Sequence, residues 1–175
     1  MVELHELEPA DVLGPQRVEI EALWRRVHPE TTAERFAEIL PRHAARSGFR
    51  FLAARDEGGR LAGLAYGYEG APGEWWHDRV AEAMSEDERT VWLAPGHFEF
   101  VELMVDPALE GRGIGARLHD GLLAGAGSPT AVLSTQRSNA RARGFYERRG
   151  WETVVPELLF GDADEPYCVL GRRRA

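Results

Sequence analysis

Gly111, Gly113 and Gly115 alternate with Arg112 and Ile114 in the segment LMVDPALEGRGIGARL, which runs from Leu103 to Leu118. Glycines at this density let a backbone turn tightly and come close to a ligand, so that amide groups point inward. An apolar stripe at Ile114, Leu118 and Leu122 follows at once and marks a helix. The unsatisfied amides and partial positive charge of that helix's N-terminus attract phosphate oxygens. Arg112 adds a guanidinium able to hold phosphate in bidentate fashion. Taken together, His97 to Leu123 is expected to form a strand, a loop and a helix that grip a pyrophosphate. A plain strand-to-helix turn would need neither three glycines nor the arginine between them.

Two familiar kinds of phosphate-binding loop resemble this one. Gly111, Gly113 and Ala116 satisfy the dinucleotide pattern GxGxxG/A. That pattern calls for an early βαβ unit and an acidic residue about 20 positions on. Here the corresponding strand end is Ser134-Thr135-Gln136, with no carboxylate, and too little chain follows for a doubly wound sheet. A nicotinamide or flavin oxidoreductase is therefore the weaker alternative. A nucleoside-triphosphatase loop is excluded because it requires Gly-Lys-Ser/Thr, and the chain contains no lysine at all. The same absence excludes lysine Schiff-base chemistry.

The elements that must position this loop can be read from periodicity. Val2 and Leu4 alternate with Glu3 and His5 as a first strand. Beyond Asp11, the residues Ile20, Leu23, Trp24 and Val27 give a helix ending near His28-Pro29. Thr31 and Glu34 have capping-box spacing for a second helix carrying Phe36, Ile39 and Leu40. Phe49 to Ala54 and Leu61 to Tyr68 read as strands joined by the turn Asp56-Glu57-Gly58-Gly59. A longer insertion follows at about 70–96, with a helix from Trp75 to Ala83 framed by Pro72-Gly73 and Pro95-Gly96. The strand His97 to Asp106 leads to the loop and its helix. Ala131 to Thr135 is a strand, Ala140 to Arg149 a helix stopped by Gly150, and Trp151 to Phe160 and Tyr167 to Gly171 are strands around an acidic loop. This order predicts one mixed α/β domain over residues 1–175.

Bulk properties narrow the function classes. A chain of 175 residues is large enough to bury roughly two thirds of its unfolded surface. Its net charge of −8 argues against a general nucleic-acid or acidic-membrane surface and favours cationic acceptors. The single cysteine, Cys168, cannot form an internal disulfide, which suits a reducing compartment. The acidic start MVELHELEPADVLG has no apolar signal-peptide core, and no apolar run approaches the ~20 residues of a membrane span. A soluble, cytoplasmic protein is expected, without nucleic-acid or membrane partners; a homodimer is compatible with the sequence. No two histidines stand at the spacing that puts both on one helix or strand face, so no metal site is expected.

Two blocks carry a family resemblance: Glu110-Gly111-Arg112-Gly113-Ile114-Gly115, and Asn139, Ala142, Phe145, Tyr146, Gly150 and Trp151 within NARARGFYERRGW. The chain resembles the GNAT superfamily of N-acetyltransferases, whose signature is Arg/Gln-x-x-Gly-x-Gly/Ala after a strand. The resemblance implies a central, mostly antiparallel sheet, splayed at the cofactor strand and flanked by helices. It implies acetyl-CoA as donor and transfer of its acetyl group to a primary amine. Backbone groups of Leu103, Met104 and Val105 would pair with the pantetheine arm, as an added strand does. The amides of Gly111, Arg112, Gly113, Ile114, Gly115 and Ala116 would hold the pyrophosphate, and Asn139 would contact the cofactor near the pantetheine. The family's usual arginine or glutamine at the first loop position is here Glu110, which is expected to turn to solvent and leave Arg112 as the cation. A non-catalytic acyl-CoA sensor is the alternative within the resemblance.

Direct transfer needs a base for the amine and a proton for the departing thiolate. Tyr146 matches the family's acid, and a phenol, with an ordinary pKa of about 10, stays protonated through the neutral range. Glu102 and Glu99 lie on the strand where the family places a base. Glu102 is preferred because Val101 and Leu103 beside it look core-directed, leaving it a cavity or solvent to face. His97 and His119 are further candidates, with His119 expected on the helix exterior. The acceptor, a small amine in preference to a protein, would be bordered by His28 to Thr32 and by Gly161 to Pro166, with Asp162, Asp164 and Glu165. Trp75, Trp76 and Trp92 would form either an aromatic wall or a satellite core.

Overall fold

The computed structural model describes residues 2–29, 33–94, 96–161 and 164–174. Its strands are β1 (Glu3–Glu6), β2 (Arg50–Arg55), β3 (Leu61–Gly70), β4 (His97–Val105), β5 (Thr130–Gln136), β6 (Glu152–Leu158) and β7 (Tyr167–Arg173). The helices are α1 (Pro9–Leu13), α2 (Arg17–Val27), α3 (Ala33–Ala44), α4 (Trp75–Ala83), α5 (Glu86–Trp92), α6 (Ile114–Ala124) and α7 (Ala140–Glu147). One open sheet runs in the order β1-β2-β3-β4-β5-β7-β6. The pairs β1–β2, β2–β3, β5–β7 and β6–β7 are antiparallel, whereas β4 and β5 are parallel. The expected mixed α/β class and mostly antiparallel sheet are therefore present. The parallel register is short, His97–Glu99 against Thr130–Val132.

The chain forms two compact units, each discontinuous in sequence: Met1–Tyr68 with Val101–Ala126, and Glu69–Phe100 with Gly127–Ala175. The first is built on Val12, Ile20, Leu23, Phe36, Leu40, Phe51, Leu64, Tyr66 and Met104. The second is built on Val80, Met84, Trp92, Leu93, Val132, Val155 and Val169. In the first unit β3 is buried on both faces, and Gly63 explains how. A Cβ there would lie 2.7 Å from the Met104 carbonyl and 3.0 Å from Leu118, so only glycine lets β4 and α6 approach this closely.

Three local outcomes differ from the periodicity reading. The segment after Asp11 splits into α1 and α2 at Gly14, where a Cβ would lie 2.7 Å from the Ala10 carbonyl oxygen. The insertion holds a second helix, α5, started by a capping box: Ser85 Oγ accepts the Glu88 amide at 3.3 Å, and the Ser85 amide donates to Glu88 at 2.7 Å. His119, expected outside, is fully buried on α6 with Nδ1 2.7 Å from Asp120. The Thr31 cap expected for α3 and the Pro95 end of the insertion lie outside the described residues. Pro156 stands in β6, the last strand of the sheet, where a missing amide is tolerated. Among the described residues no helix is long and apolar enough to cross a membrane.

Candidate active site

The glycine loop leaves the sheet at Asp106. Its amide donates to the Ala62 carbonyl at 2.9 Å, the last hand-hold before the chain turns away. The Asp106 side chain is buried, accepts the Ala108 amide at 3.0 Å and pairs with Arg26 at 3.1 Å. Pro107 begins a single 3-10 turn, Pro107–Leu109, closed by the Leu109 amide on the Asp106 carbonyl at 2.8 Å. Asp106 and Arg26 thus fix the exit angle of the loop, a role that spacing alone did not show.

Gly111 and Gly113 take φ values of +75° and +76°. A side chain there is strained in any surroundings. Nothing lies within 4 Å of a Cβ built on either residue, so the space beside both glycines is open and the protein's own packing does not require them. Gly113 precedes α6, whose first intrahelical bond runs from the Arg117 amide to the Gly113 carbonyl at 3.2 Å. Helix geometry leaves the amides of Ile114, Gly115 and Ala116 without acceptors inside the helix. They sit at the positive end of the macrodipole. A cleft of about 420 Å³ opens here, lined by Leu109, Arg112, Ile114 and Arg117, with Val2 and Glu57 among its other walls. Arg112, Arg117, which also donates to the Val2 carbonyl, and the helix N-terminus supply the positive groups of this cleft for a polyphosphate, and Asp56 and Glu57 its negative ones. Glu110 is exposed, as expected. Before the loop, Met104 is buried, while Leu103 and Val105 are half-buried on β4.

Glu102 lies in the same unit. Its side chain is 20% exposed, accepts the Leu103 amide at 3.1 Å, and stands 3.9 Å from His28 Nε2. Burial, opposed only in part by the Leu103 amide, pushes its carboxyl up to about 7. Burial lowers His28, and burial with Arg46 brings His43 down to about 4. Burial and the Glu102 charge raise the Tyr66 phenol well above its ordinary value, and its oxygen lies 3.1 Å from His43 Nδ1. A buried carboxyl titrating near neutrality is suited to taking a proton from an incoming nucleophile. His28 itself packs on Trp24, with ring centroids 4.2 Å apart. The rest of that proposed border, residues 30–32, lies outside the described residues.

In the second unit, Asn139 caps α7, its Oδ1 accepting the Ala142 amide at 3.0 Å. The cap leaves its amide nitrogen as a donor for a ligand. Tyr146 is 9% exposed, edge-on to Phe145, Trp151 and Phe100 at centroid distances of 5.2, 5.6 and 6.1 Å. Past the helix end, the amides of Arg149 and Trp151 both donate to the Tyr146 carbonyl, and Gly150 turns at φ +77°. This packing holds the ring in one orientation. Trp92 is a core residue, with Gly171 leaving room for its ring. Trp76 donates to Ser134 Oγ at 3.0 Å, and Trp75 remains 60% exposed beside Phe160. Asp164 and Glu165 of the acidic loop are described, and Asp162 is not. Glu99, the other carboxylate considered as a base, is buried beside His97 and His77. Sequence spacing could not show that trio.

Comparison with known proteins agrees with this geometry. A family model described as acetyltransferase (GNAT) family matches residues 17–151. A GCN5-like protein acetyltransferase of Mycobacterium tuberculosis is 34% identical over 119 residues, 64% of this chain and 58% of that relative. The matched region thus spans little more than half of that protein. Among solved structures, a GNAT-family protein from Desulfovibrio desulfuricans superposes with a TM-score of 0.69 at 19% identity, over 100% of both chains. The ribosomal-protein-S18-alanine N-acetyltransferase of Escherichia coli gives 0.65 at 17%, over 99% of this chain and 94% of that one. An N-acetyltransferase from Thermoplasma acidophilum, solved with coenzyme A, gives 0.58 at 16%, over 99% of each. At these identities the structural likenesses establish the fold alone.

Proposed function

The chain belongs to the GNAT acetyltransferase family, and from that premise we propose that it moves an acetyl group from acetyl-CoA to the nitrogen of a primary amine. The observation that carries the proposal is the start of α6: two left-handed glycines, free amides at a helix N-terminus, and Arg112 and Arg117 around one cleft. That arrangement suits the pyrophosphate of coenzyme A. The coenzyme A seen in the Thermoplasma structure supports the same donor.

In the proposed reaction, Leu103, Met104 and Val105 offer backbone pairing to the pantetheine arm, and Asn139 offers its amide nitrogen. Glu102, with a pKa of about 7, takes a proton from the ammonium form of the acceptor so that a neutral amine attacks the thioester carbon. The carbon–sulfur bond breaks, Tyr146 protonates the thiolate, and the proton shed by the newly acylated nitrogen restores the phenol. The products are an N-acetyl amine and free coenzyme A. A net charge of −8 and the acidic Asp164 and Glu165 favour a small cationic acceptor. A lysine or N-terminus of a protein is the second reading, favoured by the name of the mycobacterial relative.

The test is release of free thiol from acetyl-CoA against a panel of small polyamines, aromatic amines and lysine-bearing peptides. Turnover on one class supports the proposal and picks the acceptor. Tight acetyl-CoA binding with no turnover across the panel would indicate a sensor instead.

A further inference from the structure

Three metal-type donors meet inside the second unit, and the proposed transfer uses none of them. His77, in the first turn of α4, is 7% exposed; His97, the first residue of β4, is 1% exposed; Glu99 is 3% exposed. His77 Nδ1 lies 3.4 Å from His97 Nε2, which lies 3.5 Å from Glu99 Oε1, and the three donor atoms all fall within 4.8 Å of one another.

The tautomer of His97 can be argued. Its Nδ1 faces the Leu93 carbonyl at 3.4 Å, and a carbonyl can only accept, so Nδ1 carries a proton. In a neutral ring Nε2 then presents a lone pair. That lone pair faces Glu99 Oε1, which is buried and has no hydrogen-bond partner among the described residues. Two electron-rich atoms at this distance repel unless a proton or a metal ion lies between them. Outer-sphere fixing of one imidazole nitrogen by a carbonyl is also how protein metal sites orient their histidines.

Gly70 supplies the second observation. Its φ is not in the left-handed region, so the backbone does not require glycine there. A Cβ built on it would stand 2.1 Å from His97 Nε2 and 2.5 Å from Glu99 Oε1. Any side chain at residue 70 would therefore collide with both donors, so glycine keeps the space in front of them open. Donors bonded at about 2.0–2.1 Å to a tetrahedral ion stand roughly 3.3 Å apart, which the 3.4 and 3.5 Å separations match.

We propose that His77, His97 and Glu99 form a buried binding site for one divalent transition-metal ion, of the zinc class by its two imidazole nitrogens and one carboxylate oxygen. The bound ion joins the start of α4 to the start of β4 and stabilises the second unit. It also withholds Glu99 from acid–base work, consistent with Glu102 as the base, though the site does not depend on that assignment.

The competing state is a proton on His97 Nε2, giving a buried imidazolium–carboxylate pair. The experiment starts from chelator-stripped protein, titrated with Co²⁺ by visible absorption and with Zn²⁺ by calorimetry. The expected result is one ion per chain, a tetrahedral cobalt spectrum and a raised melting temperature. Gly70→Ala keeps all three ligands but fills the space, and His77→Ala removes one ligand; each should weaken binding more than tenfold. No stoichiometric uptake by the parent overturns the proposal, as does uptake unchanged in both variants. If either variant fails to fold, imidazole ¹⁵N spectra of the parent in excess zinc decide. Metal-type shifts at His77 Nδ1 and His97 Nε2 support the site, and a His97 ring still protonated on both nitrogens overturns it.

Discussion

Glu102→Gln separates the proposed base from its packing. The substitution keeps the volume and the acceptor for the Leu103 amide while removing the titration. In the folded protein the carboxyl titrates at about 7 against an ordinary 4.5. At about 1.4 kcal/mol per pKa unit this amounts to roughly 3 kcal/mol of destabilisation by the charged form. The side chain is 20% exposed, so screening by water reduces the expected effect to about 2 kcal/mol. The sign follows from proton binding. Between 4.5 and about 7 the folded state holds a proton that the unfolded state has released, so the parent loses stability as pH rises through that window. The glutamine variant carries no such penalty. It should match the parent near pH 4 and melt roughly 5 °C higher at pH 8. Activity should move the other way. The parent's kcat/KM should climb with an apparent pKa of about 7, and the variant should fall by ~10²-fold or more with that rise abolished. Paired thermal melts and rate profiles over this pH range provide the assay. A melting difference independent of pH would refute the buried-carboxyl argument, and a variant of undiminished rate would refute the base assignment.

Gly113→Asp should weaken coenzyme A binding by more than roughly tenfold in calorimetry, since it strains a left-handed position and sets a charge against phosphate. Glu110→Arg should tighten that binding, most clearly at low salt. Tyr146→Phe retains the edge-on ring contacts, so its melting temperature should hold while kcat falls ~10²-fold at nearly constant KM for acetyl-CoA. Ser85→Ala should lower stability by about 1 kcal/mol through loss of the α5 cap, with coenzyme A affinity unchanged.

What the sequence revealed and what it hid follow from the range of the interactions concerned. Gly111, Gly113 and the stripe Ile114, Leu118, Leu122 encode their conformation locally, so the loop and α6 were legible. The Ser85–Glu88 box is equally local, but the helical spacing of the insertion points only to Trp75 to Ala83, so α5 shows only through its cap. Gly14 marked the break between α1 and α2, but the helical spacing of Ile20, Leu23 and Val27 was extended back across it. His119 was placed outside because it lies off that stripe; the buried face of α6 is wider and takes in His119 and Leu123 as well. Glu102 could be assigned to β4, but its raised pKa comes from burial by parts of the chain distant in sequence, which no local period shows. The meeting of His77 with His97 spans 20 residues and two elements, beyond the reach of any helix or strand period.

The central claim is that acetyl leaves coenzyme A for nitrogen, and a mass balance tests it most directly. Protein, isotope-labelled acetyl-CoA and the acceptor chosen by the amine panel are mixed, quenched over time and analysed by mass spectrometry. The account predicts one labelled acetyl on the acceptor nitrogen for every free coenzyme A formed, at a rate that collapses in Gly113→Asp. Label recovered only as free acetate, or a rate indifferent to Gly113→Asp, would contradict it.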